Sequence, residues 1–241
     1  MAVAKTGDVV SARTVGHDAR LLELEISEPL GFLGGQYMII DSGLVALNGK
    51  AIKRAYSVIS SDETQRHVQL AVQRIPNGPG SEYIHGLEAG MKVSFSGPWG
   101  KFYLRDETPG PTLVVSTDTG ITAALGLIRS VRFFPLLAET MFIWLRPSVE
   151  YFLPEAFVRE LIPDICREVR IGTIPPVGHD DRLSVVQAAL RQILSGPALT
   201  RAFVSGDGAV NVTLVDDLVR AGVPVSKGSV ESFFNMPKKS A

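Results

Sequence analysis

One cysteine, Cys166, stands in a chain of 241 residues. A disulfide within the chain is therefore excluded, and so are an iron–sulfur cluster or a zinc site built from several thiolates. Histidine is scarce too. The four, His17, His67, His85 and His179, show no helical i,i+4 pair and no HExxH frame, so no metal site is expected. Charge of one sign is missing: a formal net charge of −1 offers no basic field to nucleic acid. No apolar run reaches membrane-spanning length, the nearest, residues 133–145, being broken by Pro135 and Glu139. The opening "MAVAKTGDVV" lacks the charged-then-apolar order of a secretory signal. These absences together point to the reducing cytoplasm. Internal repeats, low-complexity segments and a GxGxxG fingerprint are absent as well.

What is present divides into two halves of different period. At 45% hydrophobic and 20% charged residues the composition is that of a globular protein, and the length allows two domains. In residues 1–108 the stretches "GDVVSARTVG", "ARLLELEIS", "GQYMIID", "RAYSVISS", "HVQLAVQRI" and "MKVSFSG" read as six short strands separated by Gly, Asn and Pro turns. One short helix is expected at "SEYIHGL". Six strands that must cover each other's edges predict an antiparallel β-barrel of Greek-key type. In residues 109–241 continuous apolar runs such as "TLVVST" and "MFIWLR" alternate with helical spacing, as in "GITAALGLIRSVRF" and "LSVVQAALRQIL". That alternation predicts an α/β doubly wound parallel sheet, with ligands at the carboxyl ends of its strands. Gly and Pro cluster at the seam, "GPWGKFYLRDETPGPT".

Four stretches carry candidate chemistry. "KRAYSVIS" places Arg54 and Tyr56 on one face of a strand, with Ser57 between their levels. That suits a ligand with a phosphate and a flat ring; ordinary strand packing also accounts for Tyr56 and Ser57. "VQRIPNGPGSEYIHGL" leads from a strand ending near Arg74 through Gly78 and Gly80 to Ser81 at a helix start. Ser81 caps its own helix in the plainer reading, and the same helix start suits a phosphate, with Arg54 as an opposing clamp. "TLVVSTDTGITAALGLI" is a buried strand running into Thr119-Gly120-Ile121-Thr122 and a helix. Free backbone N–H groups there suit a pyrophosphate, and a simple threonine-capped turn fits equally. In "RAFVSGDGAVNV" a second strand ends at Val204, and the turn Ser205-Gly206-Asp207-Gly208 after it opens into the same crevice or forms only a glycine-rich loop.

In this order the motifs resemble the ferredoxin–NAD(P)H reductase superfamily. They comprise Arg54-Ala55-Tyr56-Ser57, Gly78-Pro79-Gly80-Ser81, Gly97-Pro98-Trp99-Gly100, Thr119-Gly120-Ile121-Thr122 and Glu231-Ser232-Phe233. The resemblance implies an FAD-binding barrel over 1–108 and an NAD(P)-binding domain over 109–241. It implies that Arg54 pairs with the FAD pyrophosphate, Tyr56 packs on the isoalloxazine and Ser57 lies near flavin N5. Gly78, Gly80 and Ser81 would hold phosphates, with Val72 and Arg74 on the adjoining strand. Thr119, Gly120, Ile121, Thr122, Gly206 and Asp207 would face the nicotinamide nucleotide, and Phe233 or Phe234 the flavin. Ser57, Ser205 and Glu231 are the expected catalytic residues.

The implied reaction passes a hydride from NAD(P)H to FAD and then single electrons to a separate redox protein, a ferredoxin or an iron–sulfur or haem component of an oxygenase. Three departures stand out. Thr117 and Asp118 replace two glycines, Ala123 replaces a proline, and Ser205-Gly206-Asp207 replaces Cys-Gly-Pro. An aspartate beside a pyrophosphate repels it unless it turns away or pairs with a cation. Arg146 is the one cation placed near an adenosine 2′-phosphate, and the acids of "GTIPPVGHDD" lean the reading towards NADH. The alternative is an FAD-binding redox sensor or regulatory electron-transfer subunit that makes little use of NAD(P)H. The tail "FNMPKKSA" runs past the family's usual end, placing Phe234 near the flavin or leaving the tail disordered.

Overall fold

The computed structural model describes residues 4–236, so Pro237 to Ala241 of the tail lie outside the described residues. The first half is built from β1 (Lys5–Val15), β2 (Ala19–Ile26), β3 (Tyr37–Val45), β4 (Ala51–Ser57), β5 (His67–Gln73), α1 (Pro79–His85) and β6 (Lys92–Trp99). The strands form one antiparallel sheet in the order β4-β3-β6-β1-β2-β5. A bridge between Val58 and Leu70 joins the region after β4 to β5 and draws the two edges together. The expected strand at 54–61 thus starts earlier and stops at Ser57, because Val58 and Ile59 leave the ladder to bond Gln36 and Gln69.

Alternation explains most of the barrel core, with Leu22, Leu24 and Ile26 of β2 pointing inward. The tandem Leu21-Leu22 breaks that alternation for a reason visible only in the fold. Leu21, together with Ala19 and Ala71, packs against the second half, so both faces of β2 are covered there.

The second half contains β7 (Thr112–Thr117), α2 (Ile121–Ile128), β8 (Thr140–Arg146), α3 (Glu155–Leu161), β9 (Glu168–Thr173), α4 (Arg182–Leu194), β10 (Arg201–Asp207), α5 (Gly208–Arg220) and β11 (Val230–Phe234). Its strands are parallel, in the order β11-β10-β7-β8-β9. Every residue of β7 and β8 is buried, as their unbroken apolar runs imply. Val114, Phe142 and Trp144 face α2 and the barrel, while Leu113, Val115 and Ile143 face α4 and α5. The helix expected through "GITAALGLIRSVRF" stops at Ile128 and turns by 104° into a 3₁₀ helix, Val131–Glu139. No single helix among the described residues is long and apolar enough to cross a membrane.

The turn at 128–131 is fixed by a residue from the other half. Asp62 accepts hydrogen bonds from the Ser130 hydroxyl at 2.6 Å and the Val131 N–H at 2.8 Å, and from Gly34 N–H at 2.9 Å. Arg129 also donates across the seam to the Ile59 carbonyl at 2.6 Å. Here the backbones meet with no side chain between them. A Cβ on Gly34 would overlap the Gly126 carbonyl oxygen, and one on Gly126 would overlap that of Val58. Alanine at a helical glycine ordinarily stabilises by up to ~1 kcal/mol. Gly126→Ala is expected to do the opposite and cost about 1–3 kcal/mol through overpacking. Chemical denaturation measures the sign, and a stabilised variant would show that the seam is loosely packed.

Candidate functional site

The seam brings the open end of the barrel against the carboxyl ends of the parallel strands, leaving a cavity of about 520 Å³. Arg54, Tyr56 and Ser57 of β4, Val72 of β5 and the start of α1 line one side. Thr119, Thr122, Pro147, Tyr151 and the C-terminal Phe233 and Phe234 line the other.

At the barrel end the charge of Arg54 is left without a counter-charge. Arg54 donates only to the neighbouring Lys53 carbonyl, at 2.8 Å, and makes no ion pair among the described residues. Its stem crosses the start of α1 at Gly80, where a Cβ would stand 2.6 Å from Arg54 Cγ; glycine is needed for that crossing. The first N–H groups of a helix have no acceptor within it, so Gly80 and Ser81 present theirs beside the Arg54 guanidinium. The Ser81 side chain is already engaged. It accepts from Ile75 N–H at 3.0 Å and donates back into the turn, to Gly78 and Ile75 carbonyls. It is therefore not the expected cap, since Gly78 occupies that position without a side-chain bond.

Deeper in, burial pushes the Tyr56 phenol up to about 12, against the pull of Arg54, so it stays neutral. Ser57 is largely buried, and it lines the cavity beside Tyr56. Phenol, hydroxyl and cation thus follow one another along β4 on the cavity wall.

The sheet end is different. Ser205 is fully buried and donates to the Gly120 carbonyl at 3.0 Å, so it does not reach the cavity. Gly120 and Gly206 pack on each other: a Cβ on Gly120 would lie 2.5 Å from Gly206 Cα. Ile121 is a core residue. Arg146 is buried over the Trp144 ring and pairs with Glu155 at 2.9 Å, away from the cavity lining. Arg74 forms a two-pronged pair with Glu82, at 3.0 and 2.8 Å, in solvent. Asp207 caps α5 by accepting from Ala209 N–H at 3.0 Å.

The largest feature missing from the sequence reading is Arg182. From the first turn of α4 it reaches the carboxyl ends of β7 and β10 and binds two aspartates there. Its Nη2 donates to Asp118, its Nε to Asp207 at 3.1 Å, and its Nη1 to the Pro175 carbonyl at 2.6 Å. All three side chains are at most 4% exposed. Burial raises the Asp118 carboxyl above its ordinary range while Arg182 pulls it back. One signal was available: a cation at a helix N-terminus opposes the helix dipole and needs a specific partner. Tyr151, whose hydroxyl donates to Gln73 across the seam at 3.1 Å, was likewise unmarked in the sequence.

The profile of the oxidoreductase FAD-binding domain family matches residues 6–103. Ferredoxin–NADP reductase B of Sorangium cellulosum is 35% identical over 124 residues, 51% of this chain and 50% of that protein. The reductase component of the naphthalene 1,2-dioxygenase system of Pseudomonas putida is 30% identical over 51% of this chain and 36% of its own. The chain thus spans about half the length, or less, of the curated relatives it matches. Among solved structures, a ferredoxin reductase in carbazole 1,9a-dioxygenase superposes with a TM-score of 0.75 at 19% identity, covering 97% of this chain and 70% of the other. The cytochrome b5 reductase domain of Ulva prolifera nitrate reductase gives 0.69 at 19% identity, covering 96% and 97%. Barrel and parallel sheet, in this order, thus have the two-part fold of those solved structures. Over residues 6–103 the chain is similar to the oxidoreductase FAD-binding domain family, and over nearly its whole length it shares the fold of these reductases.

Glu231 sits on β11 at the side of this site. Burial raises its carboxyl, and its charge adds to the burial that raises the Tyr37 phenol. A carboxyl raised on folding contributes stability below its unfolded pKa and loses it as pH rises through the folded one. Glu231→Gln removes that loss. It is expected to raise the melting temperature near neutral pH, with the gain vanishing towards pH ~4. Equal gains at both pH values would show that Glu231 is not desolvated.

Proposed function

We propose that the chain is an FAD-dependent oxidoreductase that accepts a hydride from NAD(P)H and passes single electrons to a separate redox protein. The observation carrying this reading is the unpaired Arg54 guanidinium beside the free N–H groups of α1, in one cavity with Tyr56 and Ser57. The donor set fits the group: a cation and backbone N–H groups suit a pyrophosphate, and an apolar wall with a hydroxyl suits a flat heteroaromatic ring. Bound FAD would supply the conversion of a two-electron donor into one-electron steps.

The chain's own part is positioning. Arg54 and the Gly80 and Ser81 N–H groups hold the phosphates from the barrel, residues 1–108. Tyr56 and Val72 press on the ring, and the Ser57 hydroxyl is free to bond its edge. Thr119 and Thr122, in residues 109–241, face the donor from the other side, while Phe233 and Phe234 cover the opening and exclude water. Glu231 is the nearby group able to hold a proton. Arg146, committed to Glu155, leaves no free cation at the end of β8 for a 2′-phosphate, which supports NADH.

A chain with one cysteine houses no Cys-ligated cluster, so the acceptor lies outside these 241 residues. The names of the relatives support a ferredoxin or an oxygenase component. The second reading, an FAD-binding redox sensor, is favoured by the charge cluster that occupies the strand ends.

The purified protein should show flavin absorption, and anaerobic NADH should bleach it faster than NADPH. Bound flavin bleached by neither would favour the sensor. Arg54→Ala should weaken FAD binding by roughly ten- to a hundredfold, as for losing a charge-assisted bond of ~1.5–3 kcal/mol. Unchanged affinity in a flavin titration would remove Arg54 from the site.

A further inference from the structure

In a parallel sheet the strand carboxyl ends and the helix starts beyond them offer N–H groups to an anionic ligand. Here Asp118 follows β7 and Asp207 ends β10, and both carboxylates converge on one guanidinium. Two negative charges and one positive leave a surplus of one negative charge, buried from solvent. Arg182 is fully committed, with Nε, Nη1 and Nη2 all bonded to the chain, and is not a free receptor for a phosphate.

Among the described residues no cation besides Arg182 is bonded to either carboxylate, although Arg146 shares its own partner, Glu155, with Arg159. Tyr151, from the loop after β8, is neutral because burial raises its phenol. Arg146 lies over Trp144, whose indole N–H donates to the Asp118 carbonyl at 2.9 Å, but it is paired with Glu155. Asn235 donates a neutral bond to the Asp207 carboxylate, whereas Thr117 accepts from the Asp207 backbone N–H. His179 and Asp181, in the turn before α4, face each other at 3.9 Å. Asp180 beside them adds only negative charge. Of the two carboxylates, Asp118 borders the cavity, whereas Asp207 is held by the cap of α5.

We propose that the Asp118–Arg182–Asp207 cluster is the specificity-determining element of the strand-end crevice, opposing the pyrophosphate of a dinucleotide and admitting it with uptake of one proton by the carboxylate pair. This rests on the reading of NAD(P)H as donor. The proton comes from solvent and leaves when the ligand leaves. Asp118 borders the cavity and Asp207 does not, and burial raises the Asp118 carboxyl against the pull of Arg182, which makes Asp118 the acceptor. Asp118 sits at φ 53°, a conformation open to Asn and Gly, so the charge is removable without backbone strain.

The test uses the flavin-loaded full chain and ADP-ribose, which carries the pyrophosphate but no hydride. Calorimetric titration in two buffers of different ionisation enthalpy counts protons directly. Wild-type affinity should fall with rising pH, at the limit by roughly tenfold per pH unit for one linked proton. Asp118→Asn should bind about tenfold or more tightly at pH ~8, lose the pH slope and take up no proton. Asp118→Gly should shift in the same direction, and serves if the Asn variant does not fold. A pH-independent wild type, an unchanged Asp118→Asn affinity, or no ADP-ribose binding to any of the three overturns the inference. NADH bleaching of the flavin is read separately. Bleaching without pH-linked binding leaves the reductase reading standing and sinks this one; pH-linked binding without bleaching does the reverse.

Discussion

The Asp62 carboxylate lies between the two halves of the chain and is bonded to a loop of each. On one side it holds the Gly34 N–H of the barrel; on the other it takes the Ser130 hydroxyl and the Val131 N–H. A buried carboxylate with three donors is well satisfied, and removing any one leaves charge uncompensated in the interior. Because the bonds run to the backbone, they set position as well as energy. They end α2, start the 3₁₀ helix and press Gly126 onto Val58. The distance between β4 and the ends of β7 and β10 follows from that contact. The cavity lies between two halves joined at this seam, so its shape depends on residues that do not line it.

The two ends of that cavity treat an anion in opposite ways. At the barrel end a guanidinium is left without a carboxylate, beside helix N–H groups that have no acceptor. At the sheet end a guanidinium has two. A charged side chain left unpaired near the surface is inexpensive, and its value is realised only when a phosphate arrives. A buried guanidinium with two carboxylates is costly to assemble, and similar clusters are often no better for stability than apolar residues of the same volume. Stability alone is therefore a weak reason for placing three charges at the strand ends. Their position, on the two turns where a parallel sheet presents its ligand site, is better matched to control over what binds there.

The fold was legible because its two periods differ. Alternation gave six strands before residue 108, and unbroken apolar runs gave the buried strands after it, with β7 beginning and ending where the sequence reading put it. The errors arose where distant residues intervene. Nothing within "GITAALGLIRSVRF" marks the break after Ile128, because its cause is Asp62, sixty-eight positions from Ser130. Of the cavity, the barrel wall was readable from local chemistry, since Arg54, Tyr56 and Ser57 lie within four consecutive residues of one strand. The sheet wall was not, because it depends on which groups consume each other. Ser205 and Gly206 look available as letters, yet one is bonded to Gly120 and the other packed on it. Asp118 could be recognised as out of place, but the cation it needs lies sixty-four residues away.

Arg182 shows why such a partner is hard to see and what makes it visible. In the first turn of α4 it meets the positive end of the helix dipole, an arrangement that costs a few tenths of a kcal/mol to ~1 kcal/mol at an exposed site. Local reasoning therefore marks it as a poor choice rather than as a functional one. The cost is met once the side chain turns away from its own helix, threads under Pro175 and reaches the ends of two other strands. α4 thereby becomes a bracket joining the turns after β7, β9 and β10. Any ligand that needs those turns to move must first compete with this bracket. The order of events at the strand ends is thus set by charge already inside the protein, before the chemistry of the donor matters.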